Sequence, residues 1–361
     1  MNVRVEELRE GYIVQADVYG RTGHPLIPAN TELTSEHIKV LKAFLIDGIE
    51  VEYKKETVNK EREVSRDEEK NLQKIPIHTA FISEYEQAVQ QFKKEFQHWQ
   101  TGLPINISNV RSMITPLLTI SLEDKRWIHS IHQLSQPEEY IYHHPIAVSI
   151  ISGWIAKRLG YDQGKIFQVA LAGLLADCGM AKIDENLFMN TRTLNDSDWK
   201  KIKKHPLYSY QMVKNIPILK PETKLAIVQH HERLDGSGYP SGKTGNSLLM
   251  QSQIIAIADI YHAMTSKRLF KNQQSPFKTL EMMKIDQFGK LHISILKELI
   301  STIANLSIGT IIYLSNGQAA EIIYFKADAK LRPLVRTKET GEIIDLEKNR
   351  SLYIESIIND D

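Results

Sequence analysis

The chain has 361 residues, 42% of them hydrophobic and 25% charged, which is the balance of an ordinary globular protein. This length accommodates one large domain or roughly two to three smaller ones. Its 45 basic and 44 acidic residues nearly cancel, so the charge does not indicate a nucleic-acid polymer as partner.

The single cysteine, Cys178, excludes an internal disulfide framework and is typical of a reducing compartment. The N-terminus lacks the apolar stretch of a signal peptide. No segment offers about 18 consecutive apolar residues, the length that a membrane span needs. We therefore expect a cytoplasmic protein without a membrane span.

Residues 1–55 are predicted to form a small β-rich module. Alternating segments (VRVEEL, YIVQADVYG) are typical of strands, and RTGHPLIPANTEL is interpreted as a glycine-containing break. A short helical pattern, SEHIKVLKAFLI, precedes the strand-like GIEVEY. Residues 56–75 are almost wholly polar or charged and are predicted to be a linker.

Residues 76–307 have helical patterns and are predicted to form one domain. Aromatic and apolar side chains recur every three or four residues at Phe81, Tyr85, Val89 and Phe92, with Trp99 beyond them. We interpret them as core packing rather than as a cofactor site.

Local signals predict where several elements begin or turn. Asp196 or Ser197 is expected to cap one helix, and Pro221 to lie in the first turn of another. Residues 308–361 are predicted to be a β-rich extension that contains a hairpin at Asn316-Gly317. The predicted fold class is mainly α: a helical bundle with a small β-rich N-terminal module and a small C-terminal hairpin or meander region.

Several residues near helix ends or on apolar stripes are candidate metal ligands. They are His144, Asp177, His205, His230, His231 and Asp259. Two of them, Asp177 after ALAGLLA and Asp259 within QIIAIADIYHAM, are carboxylates in apolar surroundings and need a cation or a paired charge. Imidazole together with carboxylate suits iron, manganese or zinc.

The segment HHERLDGSGYP, residues 230–240, follows paired histidines with a rigid turn. Gly236 and Gly238 can adopt positive φ, and Pro240 fixes its own φ. Glu232 or Asp235 is expected to accept the second hydrogen bond of a ligating imidazole. Taken alone, the segment also fits a solvated turn with surface histidines.

The order of the motifs resembles the HD-GYP family of the HD phosphohydrolase superfamily. The motifs are His144 with PIAVS, LLADCGMAKI, HP at His205, HHERLDGSGYP and IADIYHAMTS, within a motif core at residues 137–275. Members of that family have an HD-type helical bundle, bind more than one metal ion, commonly iron or manganese, and hydrolyse cyclic di-GMP. Residues 1–55 also resemble the small module often found ahead of such domains.

The resemblance implies roles for individual residues. The six candidates become metal ligands, with Asp177 bridging the metals at the catalytic centre. Arg268 and Lys271 match positions that contact substrate phosphate, and Tyr239 lies in the motif loop where a ligand would enter.

Departures from the family pattern indicate a degenerate site. Ala176 replaces the histidine of the His-Asp doublet, Met180 replaces a lysine, and Tyr140 stands where some members have a glutamate that holds a further metal. The first metal site would therefore lack an imidazole, whereas the second would be complete. Cys178 and His143 are not expected to replace the missing imidazole, because each is rotated about the helix axis by about a hundred degrees or more from its neighbour.

Three functions follow from this interpretation. The favoured one is a weakly active or inactive HD-GYP protein that binds cyclic di-GMP or a related dinucleotide, or a protein partner through its N-terminal module. The alternatives are an active metal-dependent cyclic di-GMP phosphodiesterase, in which both metals activate the attacking water, and a scaffold without ligand. Arg268 and Lys271 favour binding over scaffold, because a scaffold has little use for phosphate-contacting cations.

Overall fold

A computed structural model of the chain describes residues 2–5, 8–9, 11–19, 25–43, 46–53, 77–188, 194–268, 272–286, 288–327 and 329–358. The chain divides into two compact units, residues 1–73 and 74–361. The predicted linker, 56–75, lies outside the described residues. The domain boundaries therefore stay a prediction.

The first unit contains short strands and one helix. Its elements are β1 Asn2–Arg4, β2 Tyr12–Val14, β3 Val18–Tyr19, β4 Pro25–Ile27, α1 Ser35–Ala43 and β5 Gly48–Tyr53. An antiparallel sheet has the order β1-β5-β2, and β3 pairs with β4. Val14, Leu41 and Val51 are fully buried and form its core with other apolar residues. The segment RTGHPLIPANTEL, interpreted as a break, thus contains the strand β4. Its glycine and prolines are typical of turns, so the sequence did not predict this strand.

The second unit is a helical bundle followed by a sheet. Its helices are α2 Ile77–Gln100, α3 Ile107–Glu123, α4 Tyr140–Arg158, α5 Gln163–Leu175, α6 Asp196–Ile202, α7 His205–Val213, α8 Pro221–Gln229, α9 Met250–Thr265, α10 Pro276–Asp286 and α11 Ile293–Ile303. Its strands are β6 Ile311–Leu314, β7 Ala319–Tyr324, β8 Leu334–Thr337, β9 Ile343–Asp345 and β10 Ile354–Ile357. A 3₁₀ helix, Cys178–Lys182, follows α5. The predicted fold class, mainly α with small sheets near both ends, is confirmed.

The aromatic stripe of α2 belongs to the core, as its spacing predicts. Phe81, Tyr85, Phe92 and Trp99 are all buried, and the Phe92 and Trp99 rings meet edge to face with centroids 5.4 Å apart. The same core continues through α4, α5 and α9, which are buried on most of their faces. The elements that carry the candidate ligands are therefore held by extensive apolar packing.

The helix ends agree with the local signals in part. Pro221 is the first residue of α8, as predicted. The cap of α6 is Asn195 rather than Asp196 or Ser197, since its side chain accepts from the Asp198 N–H and the Asp198 side chain accepts in return. This reciprocal capping box satisfies two backbone N–H groups that would otherwise be unpaired. Asn195 is therefore a better cap than Asp196 or Ser197 at this helix end.

The C-terminal strands form one antiparallel sheet of order β10-β6-β7-β8-β9. The predicted hairpin at Asn316-Gly317 joins β6 to β7, with Gly317 at φ 83°. Ile312 and Ile354 of the sheet are fully buried in the same core as the helices. Arg332 also forms a bidentate ion pair with Glu281 of α10, so the sheet is anchored on the bundle.

One stretch of the described residues, Gln163–Lys182, is long and apolar enough to cross a membrane by composition alone. It comprises α5 and the following 3₁₀ helix, and 67% of its most apolar window is buried inside the structure. The core helix of a soluble protein has the same composition, and the burial of this stretch fits such a helix.

Candidate metal centre

The fold brings all six candidate ligands together from five places in the sequence. His144 lies on α4, Asp177 after α5, His205 at the start of α7, His230 and His231 after α8, and Asp259 on α9. They form two groups in which the potential ligand atoms lie within 4.8 Å of one another. The second-site group is Asp177, His205, His230 and His231, and the first-site group is His144, Asp177 and Asp259.

Asp177 is shared by both groups. Its Oδ1 atom lies 3.1 Å from His205 Nε2 and 3.4 Å from His230 Nε2. Its Oδ2 atom lies 3.7 Å from His144 Nε2. One carboxylate oxygen therefore faces each group, which is the arrangement that a bridging carboxylate needs.

The second-site imidazoles are oriented by backbone carbonyls. His205 Nδ1 donates to the Ile202 carbonyl at 2.8 Å, and His230 Nδ1 donates to the Ile227 carbonyl at 2.6 Å. In the neutral tautomers that these bonds select, both Nε2 atoms carry lone pairs, and they lie 3.4 Å apart. Asp177 Oδ1, which is buried, has no hydrogen-bond partner of good geometry. When both imidazoles are neutral, three electron-pair donors therefore converge, and such a donor set fits a metal ion.

Glu232 and Asp235, expected as acceptors for the paired histidines, do not accept from His230, which donates to a carbonyl instead. Glu232 Oε1 accepts from the Ser241 N–H at 2.7 Å, and Asp235 Oδ1 accepts from the Ser237 N–H at 3.0 Å. Ile202 and Ile227 lie in the last turns of α6 and α8, where backbone carbonyls have no intrahelical partner. The imidazoles of His205 and His230 therefore donate to carbonyls, and the two carboxylates accept backbone N–H groups of residues 237 and 241 instead.

The electrostatics of the centre favour positive charge. Burial disfavours ionisation of Asp177, but contacts with His205 and His230 outweigh it and hold the pKa of this carboxyl well below its usual value. Burial also opposes charge on His230, yet Asp177 raises its pKa above the usual value. For Asp259, burial is again outweighed, here by His144, and the pKa is lowered. Both carboxylates are therefore ionised at neutral pH and available as ligands.

Two residues that sequence reasoning did not assign to this role support the first-site group. His144 Nε2 lies 2.9 Å from Asp259 Oδ1, while His144 Nδ1 lies 2.9 Å from both Tyr140 Oη and His262 Nδ1. His262 Nε2 in turn lies 3.0 Å from Ser266 Oγ. Tyr140, which stands where some family members have a metal-binding glutamate, thus contacts a ligand histidine instead. The helical spacing Tyr140–His144 and Asp259–His262, four and three residues on one face, is the signal that could have identified them.

The position of the missing histidine is buried and lies beside a tightly packed turn. Ala176 is 3% exposed and belongs to the main core, and its carbonyl accepts from Ser209 Oγ at 2.6 Å. The same hydroxyl accepts from the Gly179 N–H at 2.8 Å. A side chain at Gly179 would meet the Ser209 backbone nitrogen at 2.5 Å, so the turn that presents Asp177 packs directly on α7.

Cys178 and His143 belong to neither ligand group of the described residues. Cys178 is fully buried with its Sγ 3.9 Å from the Ser209 carbonyl oxygen, and burial raises its pKa to about 12. The His143 ring packs 5.7 Å from that of Tyr85. Both side chains are thus engaged elsewhere, as expected from helical geometry.

The motif loop His230–Pro240 is compact and frames the second-site group. Gly236 has φ 81°, and a Cβ at Gly238 would lie 2.5 Å from backbone atoms of residues 231–233. Tyr239 stacks on His231, with ring centroids 4.7 Å apart and 29° between planes. The loop therefore holds both a ligand histidine and the aromatic ring beside it.

Of the predicted phosphate-contacting cations, Arg268 is held beside the first-site group. Its guanidinium lies 4.8 Å from the centre of the Tyr140 ring, and its Nε donates to the Ala263 carbonyl at 3.1 Å. Lys271 lies outside the described residues.

Comparison with known proteins places this fold and site in a class. Residues 126–289 match the family model described as HD domain. The chain is similar over 84% of its length to the structure of Bd1817, an HDG"Y"P protein from Bdellovibrio bacteriovorus, with a TM-score of 0.54, 16% identity and 99% of that chain covered. At this identity the likeness concerns the fold alone.

Two curated relatives have assigned activities. The chain is 22% identical over 67% of its length to the cyclic di-GMP phosphodiesterase PA4108 of Pseudomonas aeruginosa, and this match covers 58% of that protein. It is 31% identical over 40% of its length to the 3'3'-cGAMP-specific phosphodiesterase 1 of Vibrio cholerae, covering 34% of that protein. The chain thus matches only part of each relative's length. Residues 126–289 of the chain thus match the HD domain family, and the matched relatives are phosphodiesterases of cyclic dinucleotides.

Proposed function

We propose that this protein binds a cyclic dinucleotide, cyclic di-GMP or a close relative, at a metal centre with weak or no hydrolytic activity. The observation that carries the proposal is the asymmetry of the centre. The second-site group has three imidazoles together with the unpartnered Asp177 Oδ1, whereas the first-site group has one imidazole and two carboxylates, with a buried alanine at position 176.

The donor set supports one tightly held divalent metal, iron or manganese, at Asp177, His205, His230 and His231. When bound, a divalent metal supplies Lewis acidity to a phosphodiester. The residues of the chain orient the ligand atoms. Backbone carbonyls fix the tautomers of His205 and His230, and Asp177 presents its second oxygen to His144.

Substrate contacts belong to the same proposal. Arg268, stacked on Tyr140, offers charged N–H donors for phosphate, and Lys271 would add a second cation. Tyr239 stands against His231 at the motif loop. The relatives' activities support a dinucleotide as the ligand class. A protein partner for the N-terminal module and a cytoplasmic location stay predictions.

An active phosphodiesterase is the second candidate, because the first-site group is assembled despite Ala176. His144 and Asp259 lie 2.9 Å apart, and His144 is held in turn by Tyr140 and His262. A metal that binds there with three protein ligands would give a two-metal centre.

Metal analysis combined with nucleotide assays tests these functions. The chain is purified without chelators, its metal is quantified by elemental analysis, and binding and hydrolysis of cyclic di-GMP are followed by calorimetry and chromatography. One metal equivalent with binding and little turnover supports the proposal. Two equivalents with steady turnover support the phosphodiesterase. A metal-loaded chain that binds no dinucleotide at high micromolar concentration supports the scaffold function.

A further inference from the structure

Lys203 is an exposed cation beside the second-site group. It caps the C-terminal end of α6, two residues before the ligand His205, and its side chain is exposed. Within the described part of the chain, no carboxylate lies within ion-pair distance of its Nζ. The atom lies instead 5.4 Å from the centre of the Tyr239 ring. The ammonium group is thus directed to the motif loop, and no carboxylate among the described residues neutralises it.

The Tyr239 ring connects this cation to the metal ligands. The ring stacks on His231 at 4.7 Å and meets His205 edge-on at 6.3 Å. Lys203 Nζ lies 5.4 Å from the centre of the Tyr239 ring, which lies 4.7 Å from the centre of the His231 ring. The ammonium group is therefore no more than about 10 Å from the His231 ring centre. A lysine stem with several rotatable bonds can move its charge over part of this distance.

The segment after Asp177 does not offer such a cation. Met180 is partly buried against the main core. Lys182, the lysine of the same 3₁₀ helix, donates to the Trp99 carbonyl at 3.0 Å and is therefore engaged at the end of α2. Arg268, held on Tyr140, stands beside the first-site group. Arg233, next to the second-site histidines, donates to the His230 and Glu232 carbonyls and is likewise engaged. Lys203 is therefore an exposed cation that can move toward a ligand on the second-site side of the centre.

We propose that Lys203 binds a phosphate of the dinucleotide, with Tyr239 as the surface that positions its ammonium group. This inference rests on the proposed function and adds a binding residue to it. An ammonium on an aromatic face is only weakly held at an exposed site, so an incoming phosphate can take it up as a charge-assisted partner.

Calorimetry of cyclic di-GMP binding to the manganese-loaded full chain tests the inference. Lys203→Gln removes the charge and is expected to weaken binding by about tenfold to a hundredfold, the range for a hydrogen bond to a charged group. Lys203→Arg keeps a cation and should retain most of the affinity. Lys201→Gln is the matched control, because it removes the same charge from the exposed face of α6 and should bind like the wild type.

The outcomes separate this inference from the proposed function. Wild-type affinity in Lys203→Gln, while the wild type itself binds, overturns the inference alone. Equal weakening in Lys201→Gln also overturns it, because the effect would then come from overall charge. Loss of metal from Lys203→Gln would assign the residue a structural role. A wild type that binds no dinucleotide contradicts both proposals.

Discussion

At the residue scale, Asp177 is the point on which both ligand groups depend. Its Oδ1 faces two imidazole nitrogens and its Oδ2 faces a third. Substitutions of the residues around it are therefore expected to change metal affinity. From the resemblance to the HD-GYP pattern, the neighbouring residues 176 and 180 are predicted to decide whether a second metal and a further phosphate contact are available.

His205→Ala should remove the tightly held metal. The imidazole supplies one of the ligand atoms next to Asp177 Oδ1, and its loss leaves a buried carboxylate with less compensation. Elemental analysis is expected to fall from about one metal equivalent to well below half, with a lower Tm. His98→Ala, on the exposed face of α2, is the control and should keep its metal. Full metal content in His205→Ala would contradict the ligand assignment.

The double variant Ala176→His and Met180→Lys should restore the first site if the centre is degenerate. We expect a second metal equivalent and at least about a hundredfold rise in cyclic di-GMP hydrolysis, since one electrostatic group contributes about 2.7 kcal/mol or more to the transition state. Ala176→His alone should restore metal with a smaller gain in rate. A wild type that turns over faster than the double variant would favour the active phosphodiesterase. Thermal unfolding checks that the buried position 176 accepts an imidazole.

At the scale of elements, helix ends and one loop set the geometry of the centre. The carbonyls of Ile202 and Ile227 are available to imidazoles because α6 and α8 end beside them. The motif loop after α8 then folds back, so that the Tyr239 N–H donates to the His231 carbonyl at 3.2 Å. The pair His230 and His231 is therefore held by a carbonyl of α8 on one side and by the backbone of the motif loop on the other.

Gly238→Ala should disrupt this loop and lower metal affinity. The new methyl group would lie 2.5 Å from the Arg233 nitrogen, the Glu232 Cα and the His231 carbonyl oxygen, none of which can move without shifting His231. We expect at least about a tenfold weaker metal affinity, a loss of about 1.4 kcal/mol, measured by competition with a metal-sensitive dye. Ser241→Ala keeps the backbone donor to Glu232 and serves as control. Unchanged affinity in Gly238→Ala would show that the loop does not hold the ligands.

At the scale of the whole molecule, the C-terminal sheet is part of the second unit rather than an appendage. Its strands share the core of the helical bundle, and the five hydrogen bonds of the Arg332 side chain tie the chain between β7 and β8 to α10 and to the turns near β10.

Arg332→Met should therefore destabilise the unit by about 3 to 5 kcal/mol, because it leaves Glu281 buried without its partner. The pair is only 14% and 13% exposed. Adding Glu281→Leu should recover part of the loss, which chemical denaturation can measure as a double-mutant cycle. Arg158→Met breaks the exposed pair with Glu298 and should cost about 1 kcal/mol or less. Equal losses for the two arginines would contradict the anchoring role of Arg332.

Acid should destabilise the fold through buried histidines outside the centre. Burial lowers the pKa of His132 from 6.5 to about 4. The unfolded chain therefore binds more protons between these values, and stability falls as the pH falls through this window. At pH 5 this residue should cost about 2 kcal/mol relative to pH 7. His132→Gln, neutral at every pH, should reduce the difference by that amount in denaturant titrations at both pH values. An unchanged pH dependence in the variant would exclude His132 as its source.

The sequence by itself determined the fold class, the aromatic core of α2 and the set of residues at the centre. Periodic apolar patterns and local turn signals carry this information, since they depend on neighbours within one or two turns of chain. The sequence also showed that Ala176 and Met180 depart from the pattern of their motif.

Only the tertiary structure decided which atoms meet. That Asp177 faces both groups and that His262 contacts His144 depend on contacts between segments distant in sequence. The contacts of His205 with the Ile202 carbonyl and of Tyr140 with His144 are local, but the direction in which each imidazole faces the centre depends on the packing of the helices. The position of Lys203 over Tyr239 is of the same kind, because an exposed lysine carries no pattern that distinguishes it from Lys201. Side-chain partners are set by how the helices pack against one another, and one-dimensional spacing does not specify that packing.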